Sequence, residues 1–210
     1  MLIKRIDQEI EKHSLLKHPF YQMWSEGKLS IESLQGYAKE YFSLVKTVPV
    51  MIQRLAAHSS NESIAENLRE EMDHIEPWIK FAGMVGVNRD ELESYNVSPK
   101  THNSIEKMLE LMKTIENGIA AMYAYEAEIP KISRSKIDGL EKFYNITDDS
   151  GTEYFRIHES VDVKHATVWR NMLTKLPVGK HQDAFNSALS SLVAQNTLLD
   201  AIHEKYVKSV

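Results

Sequence analysis

The sequence predicts an all-helical protein. Only 8 Gly and 6 Pro occur among 210 residues, alternating β-branched runs are scarce, and long windows carry apolar residues at three- and four-residue steps. A first helix bears Ile3, Ile6 and Ile10. His18-Pro19-Phe20-Tyr21 opens a short helical segment that Gly27 stops. Ser30 caps a long helix striped by Ile31, Leu34, Tyr37, Tyr41, Leu44 and Val48, with a kink expected at Pro49. Asn61 caps a third, carrying Ile64, Leu68, Ile75 and Trp78. Asn88 and Glu91 have capping-box spacing for a short turn of helix, and the polar stretch from Ser94 to Asn103 reads as a loop. Ile105, Met108 and Met112 start a further stripe; Ile119, Met122, Tyr123 and Ile129 continue one that Pro130 bends. After the turn Asp148-Asp149-Ser150-Gly151, Thr152 is the expected cap of a helix reaching about Leu176. A last helix carries Phe185, Leu189, Leu192, Leu199 and Ile202.

Composition narrows the function. With 42% hydrophobic and 26% charged residues and no repeat or linker, residues 1–210 read as one domain. A chain of this length buries roughly 70% of its unfolded surface. A metal is therefore not needed to hold the fold and would be present for chemistry. A net charge of −5 with scattered Lys and Arg argues against nucleic acid as a partner. The absence of Cys excludes disulfides, thiolate metal sites and cysteine nucleophiles. No stretch approaches the ~18 uninterrupted apolar residues of a membrane span, and the N-terminus is unlike a signal peptide. No membrane partner and a cytoplasmic location are expected.

The informative residues are polar ones where the periodicity calls for apolar ones. His158, Asp162 and His165 stand at i, i+4 and i+7 on one stripe with Tyr154 and Val161. Glu71 lies seven residues from both Ile64 and Trp78, and His74 follows, giving Glu-x-x-His, a spacing used by di-iron carboxylate helix bundles. Glu126 lies seven residues from Ile119 on the next stripe, whereas Glu128 points away to solvent. Three carboxylates buried without compensation would cost several kcal/mol each. Two divalent cations balance them, and oxygen and nitrogen ligands without thiolate suit Fe, Mn or Zn. The competing account is a buried ion-pair network without metal.

Beyond this pattern, four blocks resemble the heme-oxygenase-like di-iron oxidase and oxygenase superfamily over nearly the whole length: HPFYQMW at 18–24, LQGYAKEYF at 34–42, AAMYAYEAEIP at 120–130 and HESVDVKHA at 158–166. Within it the chain looks most like the group of the chlamydial protein associating with death domains, near the pyrroloquinoline quinone synthesis (PqqC-like) group. The resemblance implies a compact seven-helix bundle and a homodimer. It also implies a pair of irons (Fe/Fe or Fe/Mn) held by Glu71, His74, Glu126, His158, Asp162 and His165, with dioxygen and an external reductant as co-substrates. In the similar group the first Glu and His are six residues apart; here they are separated by two, so the local helix must differ.

Relatives of this type make 4-aminobenzoate, a folate precursor, from their own tyrosine side chain. The matching tyrosine is Tyr21. The lysine implicated as amino donor falls on Lys136, about 80° and 15 Å away from Glu126 on an ideal helix, so a bend near Pro130 is required. Tyr37, Tyr125 and Tyr154 match tyrosines that would relay oxidising equivalents. Two alternatives stand beside this expectation: a di-iron oxidase acting on an external small molecule such as a fatty acid or amino acid, and a PqqC-like oxidase of cofactor biosynthesis.

Overall fold

A computed structural model describes residues 1–207, so the last three residues of the expected 1–210 unit lie outside the described residues. Among the described residues all regular structure is helical. Eleven α-helices occur in chain order: α1 (Leu2–Lys12), α2 (Pro19–Ser25), α3 (Ile31–Ala56), α4 (Glu62–Met72), α5 (Ile75–Met84), α6 (Arg89–Ser94), α7 (Pro99–Leu111), α8 (Ile115–Glu126), α9 (Ile129–Phe143), α10 (Asp149–Thr174) and α11 (His181–Tyr206). The expectation of seven undercounts them. Two helical rods are each broken once, α4 from α5 and α8 from α9, and the short α2 and α6 sit between the longer ones.

Both breaks have local causes. At the first, the Asp73 and His74 amides bond the carbonyls of Glu70 and Glu71, three residues back, at 3.1 and 3.2 Å. That is a 3₁₀ turn, so the single third helix expected over Ile64 to Trp78 is in fact two. At the second, Pro130 lacks the N–H that would bond the Glu126 carbonyl. By contrast α3 runs through Pro49 without interruption, because 26 residues packed on α4, α5 and α11 tolerate one missing bond.

The caps follow the side chains available. Ser30, Asn61 and the Asn88–Glu91 capping box act as the sequence predicts. Two expectations shift: Ser98 caps α7 with Pro99 at its first turn, shortening the loop, and Asp148 rather than Thr152 caps α10. Pro is favoured at N1 because its absent N–H has no intrahelical partner there. Packing places α8 at the centre, with every residue from Gly118 to Glu126 buried. It lies against α10 and α11, while α10 also packs on α5 and α9.

His18 explains the HPFY start. Its Nδ1 accepts the Phe20 amide at 3.1 Å and caps α2, while Nε2 donates to Asp200 Oδ1 at 3.1 Å. Burial lowers the imidazole pKa below its usual value, reinforced by His203 and Lys100 and opposed by Asp200. A base depressed in the fold adds stability that is present above its unfolded pKa, about 6.5, and lost as pH falls below it. Thermal unfolding at pH 7 and pH 5 should therefore show the native protein losing more stability on acidification than His18→Asn, which keeps a cap. His18→Ala should cost about 1 kcal/mol at pH 7.

Candidate metal centre

Four helices converge on one buried cluster. Glu71 comes from the last turn of α4, His74 from the entrance of α5, Glu126 from the end of α8, and His158, Asp162 and His165 from α10. All six are 5% exposed or less. The 3₁₀ turn after α4 answers the short Glu-x-x-His spacing. Residues i and i+3 eclipse in such a turn, and His74 Nδ1 stands 3.2 Å from Glu71 Oε2.

Two sets of potential ligand atoms result. Glu71, His74 and His158 offer atoms all within 4.8 Å of one another, and so do Glu71, Glu126 and His165. Glu71 belongs to both, the position of a carboxylate shared by two ions. Asp162 falls in neither triad but reaches to 3.3 Å from His165 Nδ1. A metal pair fits these residues on direct grounds. His74 Nδ1, Glu126 Oε1, both Asp162 carboxylate oxygens and His165 Nδ1 are buried with no hydrogen-bond partner, each an expense of about 1–3 kcal/mol if left so. His165 Nδ1 lies 3.3 Å from Asp162 Oδ1 and His74 Nδ1 3.2 Å from Glu71 Oε2, and cations held in the two triads would satisfy the unpaired atoms.

The surrounding groups aim the ligands. His158 Nδ1 donates to the Tyr154 carbonyl at 2.7 Å, turning Nε2 toward Glu71. His165 is arranged the other way: Nε2 donates to Glu70 Oε2 at 2.5 Å, which leaves Nδ1 for the cluster. Trp169 Nε1 donates to Glu126 Oε2 at 2.6 Å. Burial, then repulsion from Asp162 and Glu71, pushes the Glu126 pKa well up, and burial raises Asp162. Glu71 is also buried, yet its three imidazole neighbours outweigh that and hold it low. His165 is raised to about 9, burial being outweighed by Asp162, Glu126 and Glu70.

Glu70 and Trp169 were not among the residues singled out from the sequence. Trp169 carried a signal, since it continues the His158-Asp162-His165 stripe at i+4 from His165. Glu70 carried none: on a regular helix it points 100° from Glu71 and reads as solvated. Orienting partners of metal-bound histidines typically alter affinity 10–100-fold when lost. Glu70→Gln should accordingly weaken Fe(II) or Co(II) binding by about that factor, measured by equilibrium titration of the metal-free protein.

A second cluster lies beside the first. Tyr21 and Lys136 are 4% and 5% exposed, and Lys136 Nζ sits 4.5 Å over the Tyr21 ring. Nζ donates to Tyr37 Oη at 2.5 Å, and the Tyr37 hydroxyl lies 3.2 Å from that of Tyr21. After the break between α8 and α9, α9 packs on α2, which brings Lys136 to Tyr21 and Tyr37; among the described residues, none of the six cluster residues is in contact with its amine. A chain of ring contacts, stacked at Tyr37–Tyr41 and Tyr41–Trp78 and edge-on or tilted elsewhere, joins the clusters: Tyr21 to Tyr37 at 6.1 Å, Tyr37 to Tyr41 at 5.0 Å, Tyr41 to Trp78 at 5.1 Å, Trp78 to Tyr154 at 4.7 Å and Tyr154 to the His158 ring at 4.1 Å. Tyr41 and Trp78, read from sequence as core residues only, complete this chain of rings. Tyr125 is buried beside it, its pKa raised by burial and then by Tyr41, Tyr154, Glu71 and Asp162.

Comparison with known proteins agrees with this geometry. A 4-aminobenzoate synthase of Chlamydia pneumoniae is 35% identical, the match covering 87% of this chain and 85% of that protein. Another 4-aminobenzoate synthase, of Nitrosomonas europaea, is 29% identical over 97% of this chain and 91% of its own. Among solved structures, a domain of unknown function with a heme oxygenase-like fold from Shewanella denitrificans superposes with a TM-score of 0.82 at 17% identity, over 98% of this chain and 91% of that one. The profile of the iron-containing redox enzymes matches residues 42–195, a span that includes all six cluster residues. The chain thus belongs to the iron-containing redox enzyme family, an all-helical oxidoreductase with a heme oxygenase-like fold.

Proposed function

We propose that this chain is a 4-aminobenzoate synthase that takes the aromatic carbons from its own Tyr21 and the nitrogen from Lys136. The observation that carries the reading is the amine of Lys136, buried 4.5 Å over the Tyr21 ring. The similarity to two synthases of that name supports it.

Glu71, His74, Glu126, His158, Asp162 and His165 would hold the metal pair, iron with iron or iron with manganese. When bound, the pair supplies oxidising power drawn from dioxygen and an external reductant. The chain's own groups do the rest. Burial drives the Lys136 pKa well down, which favours the uncharged amine, whose lone pair would be available to an oxidised ring. Tyr37 accepts from that amine and gives its own proton to the Tyr21 oxygen, fixing phenol and amine in register. Tyr154, Trp78 and Tyr41 span the distance from His158 to this pair, and Tyr125 lies beside them. The enzyme works as a cytoplasmic homodimer, with residues 1–210 as one catalytic domain.

The deciding experiment supplies purified protein with Fe(II), reductant and air, and no other substrate. Released 4-aminobenzoate, at no more than one molecule per chain and with side-chain loss in the Tyr21 peptide by mass spectrometry, is the expected result. An intact Tyr21 and no product, in protein holding both metals, would transfer the reading to an oxidase of an external small molecule.

A further inference from the structure

On the outer face of α9 a cavity of about 370 Å³ is bordered by Lys131, Arg134, Asp138, Gly139, Lys142 and Phe143. Three cations meet one carboxylate there, in a chain whose net charge is −5. Arg134 is engaged with Asp138 at 3.2 Å and Glu159 at 3.7 Å. Lys131 and Lys142 have no carboxylate partner among the described residues, and Lys142 Nζ rests 4.9 Å over the half-exposed Phe143 ring. Cationic charge is thus concentrated around an aromatic edge.

The floor of this cavity is thin. A Cβ on Gly139 would meet Trp24 Cδ1 at 2.6 Å and Nε1 at 2.9 Å, so only the bare glycine backbone separates the cavity from that indole. Phe143 is brought to the rim in the same way, its ring lying where a side chain on Gly27 (φ 67°) would be. Trp24 in turn stands edge-on 5.2 Å from the Tyr37 ring, beside the chain of ring contacts that ends on His158. Trp24 Nε1 also donates to the Lys136 carbonyl, fixing the indole to α9.

We infer that this cavity docks a planar anionic electron donor, a reduced flavin bearing a phosphate, and that Trp24 couples it to the buried centre. The inference rests on the reading above that the centre draws on an external reductant. Lys131 and Lys142 would hold the phosphate, while Phe143 and the Gly139 backbone receive the ring. Each transfer removes one electron from the flavin, which releases a proton to solvent. Trp24, 5.2 Å from the Tyr37 ring, would provide the aromatic contact between this donor and the residues that would hold the metal pair, which when bound would supply the electron acceptor.

The test uses metal-free protein, so it is independent of whether any 4-aminobenzoate forms. Oxidised flavin mononucleotide is titrated in and its fluorescence followed. Saturable, salt-sensitive binding is expected, about tenfold or more weaker for the surface double variant Lys131→Glu/Lys142→Glu and for a flavin lacking the phosphate. Light excitation of the bound flavin should oxidise Trp24, quenching the emission and giving a tryptophan-radical absorbance in the native protein; Trp24→Phe should bind with restored emission. Absence of saturable binding, equal affinity in the double variant, or bound flavin with no tryptophan radical would each overturn the inference. Product release driven by a chemical reductant but with no flavin binding would reject the docking site and leave the synthase reading standing.

Discussion

Tyr21→Phe should reduce 4-aminobenzoate release to background while leaving the protein folded and metal-loaded. The ring would keep its packing, 6.2 Å from Phe20 and 6.1 Å from Tyr37. What disappears is the hydroxyl that accepts the Tyr37 proton, an interaction of about 1 kcal/mol. That is too small to unfold the chain, so a lost product would report chemistry rather than structure. Phenylalanine has no O–H to lose, and its ring is far harder to oxidise than a phenol. The comparison is made by quantifying product and bound metal in the same sample. Undiminished release from the variant would remove Tyr21 as the carbon source.

Glu71→Ala should abolish binding of both metals, whereas Glu126→Ala should remove one. Glu71 is the member common to both ligand triads, and Glu126 belongs to one of them. Elemental analysis after reconstitution would show the difference directly, as fewer than one ion per chain against about one. Binding to the native state alone raises stability in proportion to RT ln(1 + [L]/Kd). The unfolding temperature of the native protein should therefore climb with added Fe(II) or Mn(II), and that of Glu71→Ala should stay flat. Two ions retained by Glu71→Ala would refute the shared-carboxylate arrangement.

Much of this architecture was readable in the chain because period and burial coincide on regular helices. The stripe through His158, Asp162 and His165 follows from a 3.6-residue repeat on the uninterrupted α10, and Glu126 follows on α8 for the same reason. Where the helix is not regular the reading fails in proportion. The place of Lys136 and the meaning of the short Glu71-x-x-His74 spacing turn on two breaks, each two residues long, and the number of helices on these together with the short α2 and α6. Pro130 marks one of them in the sequence. The 3₁₀ turn at Asp73–His74 has no marker residue, and packing of Glu71 and His74 against α10 selects it.

Amino-acid identity and spacing alone determined the helical class, the exclusion of thiol chemistry and the choice of six candidate side chains that the structure brings into one buried cluster, since each depends on composition or on a repeat within one helix. Tertiary structure decided which carboxylate the two triads share and that Glu70 and Trp169 aim the ligands. It also decided that Lys136 lies over Tyr21 and that Trp24 backs a cationic cavity. Those are meetings between helices distant along the chain, set by bends and crossing geometry, and the periodicity of a single helix carries no information about them.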